Sequence, residues 1–387
     1  MDTTDISSLS KLKSIYVNFD GSHSLNYSSI FDSLVIIRLA NEPDALLRRI
    51  RKIKVHEGKI FVLNNDQLNV FDERNGKFIG IIGREGYGPG EYLTITDFTI
   101  HPDNHHIYLY DSKGMKTLEY TFTGEYMNHC NIGLQGLSIV CIPDKQNSFL
   151  YYTGYTDYND STNSMLNYVV DCKVKNRYFN IPSDMSKYFY FYDENNFTRI
   201  EDTIRYMHAP SDTIYSFLNK KIVPTYLIDF NKYKLPDDFL RKNYTDIVDF
   251  MEKLRKTNYA SLLTGYLENN NYIFFQFEKN GSYYHFYYDK KLEKGYLVSF
   301  YNRDILFNIG NIEVSFFNRP VFFSDQYAYY VLEPFEVKDY LNDVRKNQGE
   351  KMFTELTRNN DNFQKLIQVG LENNPVILKY HFRENEK

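Results

Sequence analysis

The sequence predicts an all-β fold, a six-bladed β-propeller built from four-stranded blades. Aromatic residues make up 17% of the 387 residues, and Tyr and Phe favour half-buried strands, whereas alanine, the best helix former, is rare. Short apolar runs are separated by tight turns rich in Asn, Asp and Gly. This strand-and-turn pattern recurs at an offset of roughly 47 residues, which lies in the range of four-stranded propeller blades.

The clearest repeats lie in the first third of the chain. Residues 50–82 contain four short strand-like runs, and residues 97–126 repeat the pattern, with Ile107 corresponding to Ile60. Later and more degenerate units follow at residues 137–181, 197–230, 259–300 and from residue 316 onward.

The number of blades follows from the visible units. Without the N-terminal lead and two helical segments, about 290 residues remain, which is roughly 49 for each of six blades. Seven blades of roughly 42 residues are also allowed. Because the visible units number six, the sequence favours six blades.

The two ends of the chain complete the last blade. The sixth unit lacks a fourth strand, while the apolar run Leu34 to Leu39 belongs to no unit of its own. Pairing that run with Val376 to Phe382 closes the ring, and closure removes both free sheet edges. We therefore expect an N-terminal lead and strand over residues 1–33 and a single propeller domain over residues 34–387.

Two segments break the β pattern. Apolar residues recur at helical spacing in residues 236–257, which open with Pro236. Residues 335–372 indicate two or three short helices. Both segments are predicted to be small helical insertions in the propeller.

Charge and cysteine content exclude several classes of protein. The formal net charge is −5, so no nucleic-acid partner is expected, because nucleic-acid-binding proteins need a concentrated positive face. No run of about 18 apolar residues is present, so no transmembrane segment is expected. Cys130, Cys141 and Cys172 form neither a CxxC nor a zinc pattern. We expect them to be buried free thiols, which leaves the cellular compartment open.

The N-terminal residues leave two alternatives for localisation. Met1 is followed by a polar stretch, residues 2–10, without the apolar core of a signal peptide. Either the protein is cytoplasmic, or it is exported and its signal has been trimmed and replaced by a start Met.

The segment Gly83 to Tyr92, GREGYGPGEY, resembles the signature of a family of NHL-like six-bladed β-propellers from gut bacteria. Further stretches match the family in its order along nearly the whole chain, namely residues 31–39, 212–215, 226–236 and 373–380. The resemblance implies an exported, often lipid-anchored protein, periplasmic or on the outer surface. It implies no catalytic residues. The lead departs from the family because the usual export signal is missing from it.

Two polar motifs favour structural roles. Gly83 to Tyr92 lacks the GK[ST] ending of a phosphate-binding loop, and no helix is predicted after it, so it is interpreted as a shaped loop between blades. The cluster His101, His105 and His106 is typical of a hairpin connection rather than of a metal site. We expect no metal and no cofactor, and we assign no catalytic residue.

Tyrosine clusters and channel-mouth polar residues are the candidates for ligand binding. The runs at residues 188–192 and 283–288 exceed what alternating burial needs, and Tyr combines an apolar face with a hydroxyl. The alternative is that these rings fill the wedges between blades. The predicted ligand-binding residues are Arg84, Glu91, His101, Tyr188, Tyr190, Tyr192, Arg199, His208, Tyr266 and Arg319, for each of which packing is the alternative role.

The favoured function is a non-catalytic binding or scaffold protein of the bacterial cell envelope. It is expected to be a monomer and to engage a carbohydrate, peptide or protein partner at the channel mouth. The alternative is a metal-assisted hydrolase or lyase with its site in the central funnel. A third hypothesis makes the insertion at residues 335–372 a partner-docking surface.

Overall fold

A computed structural model describes residues 12–21, 23–65, 67–143, 147–154, 164–181, 193, 195–302 and 318–383. Six four-stranded sheets form a six-bladed β-propeller, which confirms the predicted fold class. The predicted tyrosines at residues 188–192 lie outside the described residues.

The first two blades are each built from four consecutive strands. Three strands precede them: β1 (Lys13–Tyr16), β2 (Ser24–Asn26) and β3 (Phe31–Arg38). Blade 1 contains β4 (Ile50–His56), β5 (Lys59–Asn64), β6 (Gln67–Asp72) and β7 (Phe78–Ile82). A short pair follows, β8 (Arg84–Glu85) and β9 (Glu91–Tyr92). Blade 2 contains β10 (Ile95–Ile100), β11 (His106–Asp111), β12 (Lys116–Thr121) and β13 (Tyr126–Asn131).

The remaining blades follow the same plan. Blade 3 contains β14 (Ser138–Cys141), β15 (Ser148–Tyr152), β16 (Ser164–Val170) and β17 (Lys173–Asn180). Blade 4 contains β18 (Phe197–Ile200), β19 (Thr203–Tyr206), β20 (Thr213–Leu218) and β21 (Lys221–Asp229). Blade 5 contains β22 (Ala260–Glu268), β23 (Tyr272–Lys279), β24 (Ser282–Asp289) and β25 (Lys294–Val298). After β26 (Phe300–Asn302), blade 6 contains β27 (Phe322–Phe323), β28 (Tyr327–Leu332), β29 (Val376–Phe382) and β3.

The chain divides into two compact units. The first unit comprises the N-terminal segment up to Phe19 together with Ile82–Gly295, and it holds blades 2 to 4 and the first three strands of blade 5. The second unit comprises Asp20–Ile81 and Tyr296–Lys387, and it holds blades 1 and 6. The expected domain boundary at residue 34 stays a prediction.

In the first unit, polar side chains connect the first strands of successive blades. The backbone N–H of Ile139 donates to Asp97 Oδ2 at 2.9 Å, which joins β14 to β10. Ser138 Oγ donates to Asn196 Oδ1 at 2.9 Å, just before β18. Buried hydrogen bonds of this kind satisfy strand-edge groups that would otherwise lose their water. They set the register between blades.

In the second unit, the closing strand pairs as the sequence predicts. Strand β3 lies antiparallel to β29, with Val376 opposite Arg38 and Tyr380 opposite Leu34. The outer edge of β3 is also covered. The Asn362 side chain accepts a hydrogen bond from the Ile36 N–H at 3.3 Å and donates to the Leu34 carbonyl oxygen at 3.1 Å. An edge covered in this way cannot pair with another chain.

The helices lie within the two segments that have helical spacing. They are α1 (Asp237–Leu240), α2 (Ile247–Arg255), α3 (Pro334–Asn359) and α4 (Asp361–Ile367). Helix α3 is interrupted at Gly349, where φ is 82°. Asn362 in α4 supplies the edge contact to β3, so part of the second insertion has a structural role. Among the described residues, none of the helices is long and apolar enough to cross a membrane.

Three features differ from expectation. Strand β1 adds a fifth strand to blade 4 by pairing in parallel with β21, and β2 pairs in parallel with β26. The expectation of three free thiols is wrong for two of them, because Cys130 and Cys172 form a disulfide between blades 2 and 3. Cys141 is buried and belongs to no disulfide. The 42-residue separation of the pair is close to one blade repeat, so the fold brings the two side chains together.

Candidate functional site

The first strands of blades 2, 3 and 4 end at the same end of the first unit. Cys141 N donates to Thr99 Oγ1 at 3.3 Å and Ile139 N donates to Asp97, so β10 and β14 run in the same direction. Each first strand then turns back into the second strand of its blade. We call this end of the first unit, where the turn at residues 101–105 lies, the turn end.

At the turn end, Arg199 extends from β18 to blade 2. Its Nη1 donates to the carbonyl oxygen of Ile100 at 3.4 Å. The same carbonyl oxygen accepts from Cys141 Sγ at 3.2 Å. His101 follows Ile100 directly and interacts electrostatically with Arg199. We call Ile100, His101, Cys141 and Arg199 the open cluster, since the predicted residues His101 and Arg199 come together in it.

His101 presents a hydrogen-bond donor that has no partner among the described residues. The Asp103 N–H donates to His101 Nδ1 at 3.2 Å, so Nδ1 is the unprotonated nitrogen of the neutral ring. Nε2 then carries the proton, is buried, and makes no hydrogen bond among the described residues. Burial lowers the pKa of His101, while Asp103 raises it and Arg199 lowers it further. The ring is therefore neutral near pH 7 and donates through Nε2.

Arg199 is a cation without a carboxylate partner among the described residues. Within the described part of the chain, no Asp or Glu oxygen forms an ion pair with it, and its one hydrogen bond is the long contact to Ile100. The side chain is half-buried. A guanidinium carries five N–H donors, so most of its hydrogen-bonding capacity is unused. A half-buried cation in this state favours an anionic ligand group.

The carboxylate of Glu119, beside His106, already has partners. Glu119 Oε1 accepts from the Tyr108 hydroxyl at 2.8 Å and lies 2.7 Å from His106 Nδ1. His105 makes an edge contact with the ring of Phe122 instead. The three histidines of the turn thus have different surroundings, and Glu119 is not the partner of Arg199.

A second charged cluster lies between blades 4 and 5 and is fully paired. Glu268 is buried, and its carboxylate accepts from Arg205 Nε at 3.0 Å, Lys290 Nζ at 2.5 Å, the Tyr266 hydroxyl at 2.5 Å and the Tyr226 hydroxyl at 3.2 Å. We call these five residues the paired cluster. The predicted site residue Tyr266 is therefore buried in a network that joins two blades. Burial raises the pKa of the Tyr266 hydroxyl, so it stays protonated and donates to Glu268.

Two more predicted residues, Arg84 and Glu91, bind each other. Arg84 Nε lies 2.6 Å from Glu91 Oε1. Glu91 Oε2 also accepts from the Gly88 N–H at 2.7 Å. These contacts hold the glycine-rich loop in shape, which agrees with its interpretation as a shaped loop. Tyr87, at the tip of the loop, is 93% exposed.

His208 is buried in an aromatic stack. Its ring centroid lies 5.3 Å from that of Tyr206, 5.0 Å from Phe179 and 6.1 Å from Tyr215. Its Nδ1 has no hydrogen-bond partner among the described residues. Burial lowers the pKa of His208 to about 4, so the ring is neutral at pH 7.

The last predicted residues take separate positions. Arg319 belongs to the second unit and is half-buried just before β27. In the run at residues 283–288, Tyr283 is half exposed, whereas Tyr287 and Tyr288 are buried, so most of this run packs in the core.

Sequence reasoning did not select Cys141, Arg205, Glu268 or Lys290. No local motif marks them, because their partners come from other strands or other blades. Asp97 carried a usable signal, since a carboxylate inside an apolar strand indicates a buried hydrogen-bond role.

Comparisons with known proteins support the fold. The model of a domain of unknown function, DUF4934, matches residues 13–381. The crystal structure of a candidate exported protein from Bacteroides fragilis is similar, with a TM-score of 0.73 and 19% identity over 96% of this chain and 100% of that chain. A DUF4221 member from Bacteroides vulgatus has a TM-score of 0.47 and 12% identity, covering 92% of this chain and 98% of its own.

No curated protein matches the sequence. The family match covers nearly all of the chain, including all six blades except the last residue of β29. The chain therefore belongs to the DUF4934 family, a domain of unknown function.

Proposed function

We propose that the protein is a non-catalytic binding protein of the bacterial cell envelope. It acts as a monomeric, single-domain propeller that binds a carbohydrate, peptide or protein partner. We also propose that its repeats are NHL-like, as the resemblance of its sequence implies. The observation that carries it is the half-buried Arg199, which has no carboxylate partner among the described residues. A half-buried cation with no carboxylate partner can accept the anionic group of a ligand, and such groups mark binding sites.

Two observations support export. Cys130 and Cys172 form a disulfide, and disulfides form and persist mainly in oxidising compartments. The similar protein from Bacteroides fragilis is described as a candidate exported protein. We expect fractionation of the native host to place the protein in the envelope or outside the cell. Recovery in the cytosol with reduced Cys130 and Cys172 would contradict this part of the proposal.

A ligand screen tests the binding function. Glycan and peptide arrays are incubated with the wild-type protein, with Arg199→Gln and with Arg358→Gln, an exposed arginine on α3 that serves as the matched control. We expect at least one ligand that both the wild type and Arg358→Gln retain and that Arg199→Gln loses. Mass spectrometry of the recovered ligand should show no conversion.

Two outcomes would contradict the binding function. One is an array with no ligand above background for the wild type. The other is turnover of the retained ligand, which would make the protein an enzyme.

A further inference from the structure

We infer that the open cluster binds an oxyanion, held by the guanidinium of Arg199 and by the Nε2–H of His101. The inference rests on the proposed binding function and adds the chemical class of the bound group. The class is a carboxylate, sulfate or phosphate, since these groups share the charge and the oxygen acceptors.

The charge of Arg199 is not compensated by a carboxylate among the described residues. Its hydrogen bond goes to a neutral carbonyl oxygen, Ile100 O. Glu201 and Asp202 follow it in the chain, but both are exposed and neither forms an ion pair with it. On blade 2, Asp103 is exposed and forms no ion pair with Arg199, and Glu119 binds His106. The charge of Arg199 is therefore available to a ligand.

The hydrogen-bonding groups that the open cluster offers to a ligand are donors. The neutral His101 ring offers a donor at Nε2, because Nδ1 already accepts from the Asp103 N–H. Arg199 offers only donors. The Ile100 carbonyl oxygen accepts from Cys141 and Arg199, so the acceptor within the cluster is occupied. A ligand group at this place must supply acceptors, which a cation or an ammonium group cannot do.

The donor at His101 Nε2 is buried. His101 is 5% exposed, and a buried N–H without a partner is unfavourable because it has lost its hydrogen bonds to water. A ligand that accepts this hydrogen bond removes the penalty on binding. Arg guanidinium binds carboxylate and phosphate through two parallel hydrogen bonds, which adds geometric selectivity. Arg199 thus provides a charge beside Ile100, and His101, the next residue, provides a donor that has no partner among the described residues.

The experiment measures anion binding directly at His101. The protein contains nine histidines, so ¹⁵N-histidine labelling gives a resolvable set of imidazole signals. Sodium acetate, sulfate and phosphate are titrated at pH 7 and constant ionic strength, with sodium chloride as the compensating salt. We expect a saturable shift of the His101 Nε2–H signal with at least one of the oxyanions.

Variants assign the shift to the open cluster. Arg199→Gln should weaken the oxyanion affinity roughly tenfold or more, Arg199→Lys should weaken it less, and Arg358→Gln should leave it unchanged. The affinity for glucuronate is then compared with the affinities for glucose and for acetate. This comparison tells an acidic sugar from a free anion as the source of the bound group. Tighter binding of glucuronate than of acetate indicates recognition of the sugar, and equal affinity indicates recognition of the oxyanion alone.

The failures of the two proposals are distinguishable. The inference is overturned if no oxyanion gives a saturable His101 shift, or if Arg199→Gln binds as tightly as the wild type. If a neutral ligand on the array binds and its binding requires Arg199, the binding function stands but the inference of an oxyanion site is overturned. Saturable anion binding with a silent array would support the oxyanion and contradict the proposed partner classes.

Discussion

Arg199 and Arg205 lie on neighbouring strands of blade 4 but have opposite surroundings. In the pairing of β18 with β19, Arg205 is opposite Thr198 and Arg199 is opposite Ile204. Adjacent side chains on a strand point to opposite faces, so the two arginines leave the sheet on different sides. Arg205 binds the buried carboxylate of Glu268, whereas among the described residues Arg199 binds a carbonyl oxygen and no carboxylate.

This difference separates a structural charge from an available one. The paired cluster surrounds one carboxylate with two cations and two hydroxyls, and Glu268 is buried between two blades. Removing one member leaves buried charges without compensation. The four residues of the open cluster include no anion, and its cation is only half-buried. Mutations should therefore act on stability in the first cluster and on binding in the second.

The largest effect is expected for Glu268→Gln. The substitution keeps the size of the side chain but leaves Arg205 and Lys290, both largely buried, without an anion. Breaking a buried ion pair in this way costs about 3–5 kcal/mol of unfolding free energy. Urea denaturation at pH 7 measures it, with Glu201→Gln at an exposed position as the matched control. A loss as small as that of the control would show that Glu268 does not compensate buried charges.

His208 is expected to change the unfolding free energy by an amount close to that of Glu268→Gln, but in a way that depends on pH. It is buried, and its Nδ1 has no partner among the described residues. Its folded-state pKa of about 4 lies below the ordinary value of 6.5, so the unfolded state takes up the proton first as the pH falls. Stability that is present above pH 6.5 is lost as the pH falls to 4, by roughly 3 kcal/mol. His208→Phe should remove this part of the acid sensitivity.

Urea denaturation from pH 7.5 to 4 checks the expectation for His208. The wild-type unfolding free energy should fall more steeply than that of His208→Phe over this interval. Parallel curves for the two proteins would show that His208 does not change its pKa between the folded and unfolded states.

The smallest effect is expected for Arg199→Gln. The guanidinium makes one long hydrogen bond and no ion pair among the described residues, so the unfolding free energy should change by about 0.5 kcal/mol or less. The same urea measurement as for Glu268→Gln gives the direct comparison. A loss near that of Glu268→Gln would place Arg199 among the structural charges and remove the basis of the binding proposal.

Much of the fold could be predicted because it depends on local patterns. Strand alternation, turn residues and the repeat offset predicted six blades, and the unpaired run Leu34 to Leu39 predicted the closing strand. The pairing of β1 with β21 was not predicted, since β21 lies far along the chain and parallel pairing leaves no turn signal. The pairing of Cys130 with Cys172 was missed for the same reason.

The candidate site was predictable only as separate residues. His101 and Arg199 were selected because polar residues at the ends of first strands reach the mouth of a propeller. Their proximity was not predictable, because 99 residues separate Arg199 from Ile100. Tyr266 was selected as a polar residue on a first strand in the same way. It is buried, and its hydroxyl donates to Glu268 two residues later.

The sequence by itself therefore determined the strands, their turns and the number of blades, because these depend on side-chain periodicity and backbone preferences within a few residues. Tertiary structure alone decided which charges are neutralised. Arg199 and Arg205 are the same residue type in equally short strands. The face of the sheet and the neighbouring blade leave one beside a carboxylate and the other beside a carbonyl oxygen.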